Sequence, residues 1–424
     1  MLRCFSVSNY LCFGSPLTLD LRPSSATEQS GASASVEPPR IVLISGAGAS
    51  GKSALLRALG LLRNLTLAGP RAPLPCAAHR FLPPGPTRLA IEVQIEAATW
   101  EYELSFDPQQ ILHERLSVRA APAAGPVETR SLFSRRAGEP GRPPLVEPGE
   151  LSPAEGSRLR LLAQSTRAEQ PLLNEGLRRG LPLFVPLGMW LRDRLQLLLP
   201  EAKFVGLAAR AARDPALLDF LTEHLSVADL GIVGLALQRE PVPSSYFQSP
   251  EELDEVTTEL TRFPDSFAET PEGELIAQPA ARGPFVDIER VRLTQTIAGP
   301  QGGRAELAID ELPATARRLL HLAPLFYGAG EHGTPPCAIL DDVGGSLHPQ
   351  ILSSLLARFA LDADLPGGRQ LIGLLQDSPP TDPDGENSLG RRLLSTLRAK
   401  APQVGIQLWA LRRTSVGSQL TVVI

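Results

Sequence analysis

Lysine is almost missing from this chain: Lys52, Lys203 and Lys400 are its only examples, and arginine supplies the rest of its 41 basic residues. Cysteine is scarce too, and Cys4, Cys12, Cys76 and Cys337 lack metal-ligand spacing. That excludes a disulfide-stapled scaffold and points to structural thiols in a reduced compartment. The six histidines, His79, His113, His224, His321, His332 and His348, also show no ligand spacing, which points away from a metalloenzyme or a triad hydrolase. No apolar run reaches the length of a membrane span, and the longest candidate, from Leu181 to Leu191, is broken by Pro182 and Pro186. The opening MLRCFSVSNYLCFG alternates like a strand and lacks a signal peptide's charged-then-apolar layout, so a cytoplasmic protein with no membrane partner is expected.

What is present describes a globular chain of 424 residues, 43% hydrophobic and 21% charged, long enough for one large domain or two to three smaller ones. The 41 prolines and 36 glycines imply several long surface loops. A net charge of −5 argues against coating nucleic acid by bulk charge. The distribution is uneven, with basic residues in excess from Leu151 to Arg213 and acidic ones from Glu251 to Glu274. Such asymmetry fits a DNA-binding or partner-binding face, and equally the solvated faces of helices.

One of the three lysines lies in RIVLISGAGASGKSALLRAL, from Arg40 to Leu59. Ile41 to Ile44 is a short β-branched run suited to a strand buried on both faces, and an amphipathic helix pattern follows the glycines. The intervening segment fits G-x-x-x-x-G-K-[ST], the phosphate-binding P-loop. Its backbone N–H groups must curl around a polyphosphate, which places Gly46, Ala47, Gly48, Ala49, Ser50, Gly51, Lys52, Ser53 and Ala54 in the nucleotide site. Lys52 is expected at the outer phosphates and Ser53 on Mg²⁺, with ATP as the ligand. The competing reading is a glycine turn arising by chance, against which a lysine in so lysine-poor a chain weighs heavily.

A P-loop needs a second Mg²⁺ anchor at the end of a neighbouring strand. Cys337-Ala338-Ile339-Leu340-Asp341 offers four apolar residues and then a carboxylate, and Asp342 follows in a position suited to orienting the attacking water. The alternative is a strand end with two capping acids before a Gly-Gly turn. Around these motifs the pattern predicts an N-terminal hairpin, three alternating strands over Arg88–Ile95, Trp100–Phe106 and Ile111–Val118, and helices through most of Ser157 to Leu225. Strands and helices alternate from Phe285 onward, which implies a mostly parallel sheet. The first and last parts then form one split nucleotide-binding domain, with a helical insertion between them.

The segments FSVSNYLCFGSPLTLDL, GAGASGKSALLRAL, YELSFDPQQILHERL and ILDDVGGSLHPQIL together resemble the AAA-labelled ATP-binding proteins of the ABC-ATPase superclass. These are relatives of RecF, of OLD-family nucleases and of SMC heads, and many serve in phage defence. The resemblance covers nearly the whole length and implies an α/β P-loop NTPase of ABC-ATPase head type. Residues 1–150 and 281–424 would form the head, with an antiparallel N-terminal subdomain, and 151–280 an inserted helical lobe. It implies Asp341 as a Mg²⁺ ligand beside Ser53, Asp342 as the catalytic carboxylate, and Gln376 at the tip of the switch strand.

The chain also departs from the family pattern. Glu311-Leu312-Pro313-Ala314-Thr315-Ala316-Arg317 stands where the family reads roughly E-S-D-G-T-K-R, Asp342 stands for a glutamate, and Gln376 for a histidine that senses the γ-phosphate. Ser346-Leu347-His348-Pro349 keeps a D-loop-like segment, and Gln164 is the counterpart of the Q-loop glutamine. The resemblance implies a slow ATPase that associates weakly with a second copy, or with a separately encoded effector such as a nuclease or Toprim protein, with nucleic acid as a further partner. A sensing or scaffolding subunit with little turnover is the alternative. A small-molecule P-loop kinase is disfavoured by the distance from the P-loop to the Asp pair.

Overall fold

The computed structural model describes residues 1–23, 38–70, 73–120, 128–138, 144–200, 203–227, 232–263, 265–279, 286–298, 304–327, 337–345, 347, 349–361, 369–376, 388–401, 404–414 and 417–422. In chain order, β1 (Leu2–Ser8), β2 (Leu17–Asp20) and β3 (Ile41–Gly46) precede helix α1 (Lys52–Leu67). Next come β4 (Thr87–Ile95), β5 (Ala98–Phe106), β6 (Ile111–Ala120), β7 (Glu128–Arg136) and β8 (Leu145–Pro148). The middle holds α2 (Pro153–Ser165), α3 (Leu172–Arg178), α4 (Val185–Met189), β9 (Leu195–Leu198), α5 (Leu207–Arg213), α6 (Pro215–Val227), β10 (Ile232–Pro241) and α7 (Pro250–Thr261). The strands β11 (Ala268–Thr270), β12 (Gly273–Pro279), β13 (Val286–Ala298) and β14 (Arg304–Ala308) lead to α8 (Ala314–Leu322) and β15 (Cys337–Leu340). Then α9 (Pro349–Leu361), β16 (Gln370–Gln376), α10 (Leu389–Lys400), β17 (Ile406–Thr414) and β18 (Gly417–Val422) follow. Among the described residues no helix is long and apolar enough to cross a membrane.

The chain divides into two compact units, one of Met1–Pro200, Pro335–Gly345 and Ala360–Ile424, the other of Glu201–Thr334 and Ser346–Phe359. The first unit carries two sheets. An antiparallel one runs in the order β2-β1-β4-β5-β6-β7-β8. Its alternating sequence is the cause: Tyr102, Leu104 and Phe106 of β5 are buried, while the residues between them face outward. The other sheet runs β18-β17-β3-β16-β15-β9, parallel except for β18. Ile41 to Ile44 at its centre are fully buried between β16 and β17, as their unbroken apolar run predicts.

Two polar networks hold the first unit together. The buried Gln370 at the head of β16 accepts from Leu2 N at 2.7 Å and donates to Leu2 O and Pro39 O at 3.0 and 3.1 Å, tying β1 to the parallel sheet. Glu114 of β6, fully buried, accepts from the Tyr102 hydroxyl at 3.0 Å and from the N–H groups of Leu172 and Leu173 at 2.7 and 2.9 Å. Arg135 of β7 lies 3.5 Å from it and donates to the carbonyls of Gln170, Arg167 and Ala168, so the buried carboxylate is both paired and hydrogen-bonded. Burial beside Glu114 raises the Tyr102 phenol well above its ordinary range. Asn174 of α3 donates to Thr66 O and Leu67 O, satisfying the last carbonyls of α1.

The middle of the chain departs from the helical lobe expected over 151–280. Helices α2 to α4 and strand β9 belong to the first unit, and the second unit begins at Glu201. Beside its helices the second unit carries an antiparallel sheet in the order β10-β13-β12-β11, with β14 on β13. Strand β9 lies within a leucine-rich run that reads as helix, because a short apolar run has no period of its own; it is a strand because it completes the parallel edge beside β15.

Candidate nucleotide site

All five parallel strands point the same way, so the loops after β3, β9, β15 and β16 leave from one edge of the sheet, where ligands bind in open α/β folds. The loop after β3 has the shape its glycines require. Ala49 and Gly51 stand at φ 60° and 111°, both left-handed. A β-carbon on Gly46 would lie 2.6 Å from Leu411 O, and one on Gly51 would lie 2.9 Å from both Cys12 Sγ and Ser418 Oγ. Helix α1 starts on Gly51 without a side-chain cap and without an acid in its first turn, so neither a capping side chain nor a carboxylate of its own competes with an anion at its positive dipole end. Lys52 is 8% exposed, and its Nζ donates to Gly46 O at 2.7 Å, Ala47 O at 2.9 Å and Ser50 Oγ at 3.4 Å. The ammonium is thereby folded into the loop on carbonyls, whose place phosphate oxygens can take.

Across the cleft, β15 delivers two carboxylates in succession. Asp341 is 4% exposed, and its N–H donates to Leu198 O of β9 at 2.8 Å, which fixes the strand end. Asp342 turns left-handed at φ 50°, a conformation Asp adopts more readily than most side chains. Its Oδ1 is buried and has no hydrogen-bond partner, and a β-carbon on Gly345 would collide with its carboxylate. Gln376, at the end of β16, is in register with Gly46. Together these residues line one cavity of about 450 Å³.

Of the residues expected from sequence, Gly48, Ala49, Ser50, Gly51, Lys52, Ser53, Ala54, Asp341, Asp342 and Gln376 line that cavity. Gly46 and Ala47 join it through the carbonyls that hold Lys52. The residues fit a Mg-nucleotide: a hydroxyl and a carboxylate supply the hard oxygen donors that Mg²⁺ takes, and the orphaned Asp342 Oδ1 leaves an acceptor to be satisfied by a ligand. Gln164 lies exposed on α2 and is absent from the lining. Ser346, His348 and Asp377 fall outside the described residues. In the segment from Glu311 to Arg317, Leu312 is buried in the second unit, and Pro313 starts α8 with no side-chain cap, its carbonyl accepting from Arg317 N at 3.0 Å.

Sequence reasoning missed Leu11, Cys12, Arg57 and Pro200, which complete the lining. Leu11 is left-handed at φ 50° and its N–H bonds to Ala77 O, so the loop after β1 reaches the cavity through a connection that no motif announces. A larger groove of about 650 Å³ runs along α1 between Leu61, Pro73 and Leu197, but Arg63 on its wall already donates to Leu191 O.

No protein-family profile matches the sequence, and no curated protein matches it. Among solved structures, the chain is similar to the SMC head domain from Thermotoga maritima, at 11% identity and a TM-score of 0.40 over 100% of this chain and 99% of that one. It is also similar to an SmcHead bound to the C-winged helix domain of ScpA, at 11% identity and 0.41 over 100% and 98%. The recombination mediator RecF of the RecFOR pathway, solved as RecF-ATPrS, aligns at 14% identity and 0.30 over 100% and 98%.

Proposed function

We propose that the protein binds Mg-ATP in this cavity and is a slow ATPase of the ABC type, acting through nucleotide-dependent association. The observation that carries the reading is the meeting, at one sheet edge, of an uncapped helix start, a buried lysine and two successive carboxylates. In this reading the loop N–H groups and Lys52 hold the phosphates, Ser53 and Asp341 hold Mg²⁺, Asp342 orients the attacking water, and Gln376 faces the outer phosphate. A second copy or a separately encoded effector, of nuclease or Toprim type, as well as a place in phage defence or DNA transactions, rests on the motif resemblance. A sensing subunit that binds without turnover is the second reading, favoured by the buried Leu312 in the segment where the family reads polar groups.

Lys52→Ala tests the site directly. Charge-assisted contacts to a buried phosphate contribute on the order of 2–3 kcal/mol, so the variant should bind a fluorescent ATP analogue roughly 30–150 times more weakly. Equal binding by wild type and variant would remove the assignment.

A further inference from the structure

Strand β18 closes the parallel sheet beside β17, and one of its side chains reaches the phosphate loop. Ser418 is 5% exposed and donates its hydroxyl proton to the Ser50 carbonyl oxygen at 2.7 Å. Ser50 is itself 3% exposed; its N–H donates to Ala47 O at 3.2 Å and its Oγ accepts from Lys52 Nζ at 3.4 Å. The peptide joining Ser50 to Gly51 is thus held on its carbonyl side by the last strand. A trans peptide unit is planar and its C=O and N–H point in opposite directions. Holding the carbonyl toward β18 therefore turns the Gly51 N–H away from β18. Gly51 lines the cavity, and glycine accepts either sign of φ, so nothing in its own chemistry prevents this peptide from flipping.

We infer that Ser418 is a positioning residue for the nucleotide: its hydroxyl selects the orientation of the Ser50–Gly51 peptide that presents the Gly51 N–H to the phosphates. Without it the buried carbonyl either stays unsatisfied or rotates to find a donor, and rotation carries the Gly51 N–H out of the cavity. The inference rests on reading the cavity as a Mg-nucleotide site, and it adds to that reading a residue that lies outside the P-loop motif.

The test is isothermal titration of the full chain with Mg-ATP, for wild type, Ser418→Ala, Ser418→Cys, Ser418→Thr and Lys52→Ala, with far-UV circular dichroism as the check on folding. Ser418→Ala should weaken binding about tenfold, the equivalent of one hydrogen bond of about 1.4 kcal/mol. Ser418→Thr, which keeps the hydroxyl, should recover most of the affinity, and a purely packing role would not show that recovery. Ser418→Cys keeps the volume with a weaker donor and should fall between; it carries the test if the alanine variant loses its helical signal. Wild-type affinity in Ser418→Ala or Ser418→Cys, or a threonine variant as weak as alanine, would overturn the inference while leaving the site intact. Wild type that binds Mg-ATP no better than Lys52→Ala would instead overturn the nucleotide reading, and this inference with it.

Discussion

At the scale of single residues, Asp342 is where reach and backbone conformation oppose each other. If Asp342 orients the attacking water, as proposed, its side chain is one methylene shorter than a glutamate's and sits back from that water. A misplacement of roughly an ångström can cost on the order of a hundredfold in rate. Yet φ 50° suits Asp better than Glu, so a longer side chain gains reach and adds roughly 1 kcal/mol of strain. We expect steady-state phosphate release by wild type to fall well below the roughly 1–100 s⁻¹ of efficient phosphoryl-transfer enzymes. Asp342→Glu should raise it, and Asp342→Asn, which keeps the left-handed turn, should abolish it. Turnover in Asp342→Asn equal to wild type would mean that another group orients the water. This part of the site was legible because P-loop spacing and a strand ending in Asp-Asp are local patterns. Cys12, Pro200 and Ser418 were not, because the first two reach the cavity, and the last reaches the loop beside it through Ser50 O, by a long-range arrangement of strands and loops; Arg57 is local, one turn into α1, but belongs to no motif.

At the scale of elements, β15 shows what burial does to an ordinary side chain. Its Cys337 thiol is fully buried and pushed up to about 11 by the loss of solvent; the Cys4 thiol in β1 is likewise pushed up to about 11, by burial and then by Asp20. An unfolded chain releases the Cys337 proton near 9.0 while the folded chain keeps it until about 11. Across that window the native state binds more protons, so stability is complete below pH 9 and declines as pH rises, by roughly 2–3 kcal/mol for the one thiol. Thermal melts at pH 8.5 and 11 should therefore show a smaller drop for Cys337→Val than for wild type, and equal drops would rule this linkage out.

The same scale explains which strands the sequence hid. β15 and β16 stand out as apolar runs. β7 does not, because a bulge opposite Leu116 and Ser117 turns both Leu132 and Phe133 inward and breaks the alternation. Its Arg135 is 1% exposed, whereas an arginine in a strand reads as an outward-facing residue until Glu114 and the carbonyls after α2 are seen around it.

At the scale of the whole molecule, the question is whether nucleotide drives association. Under the proposed reading the segment Glu311 to Arg317 would make the contact across two subunits, yet there Leu312 is turned inward and Pro313 has no N–H to donate. Sedimentation velocity of Asp342→Asn with and without Mg-ATP should show at most weak self-association, and a tight, strictly ATP-dependent dimer would contradict this. The two-unit division itself was only partly legible: alternating strands at Ile232–Pro241 and Val286–Ala298 lie far apart in sequence, and their pairing with each other is a long-range fact.

Ser50 and Ser418 are 368 positions apart, as are Leu2 and Gln370. A ribosome adding 5–20 residues per second leaves roughly 20–70 s between the emergence of the two members of each pair. Until β16 emerges, β3 has neither β16 nor β17 beside it, and Ile41 to Ile44, destined for the middle of a sheet, stand as two bare edges open to a neighbouring chain. In the proposed reading the nucleotide's cradle is also incomplete during that time, since Asp341, Asp342 and Gln376 come late in the chain, and protection of the nascent strand falls to whatever attends the chain during synthesis.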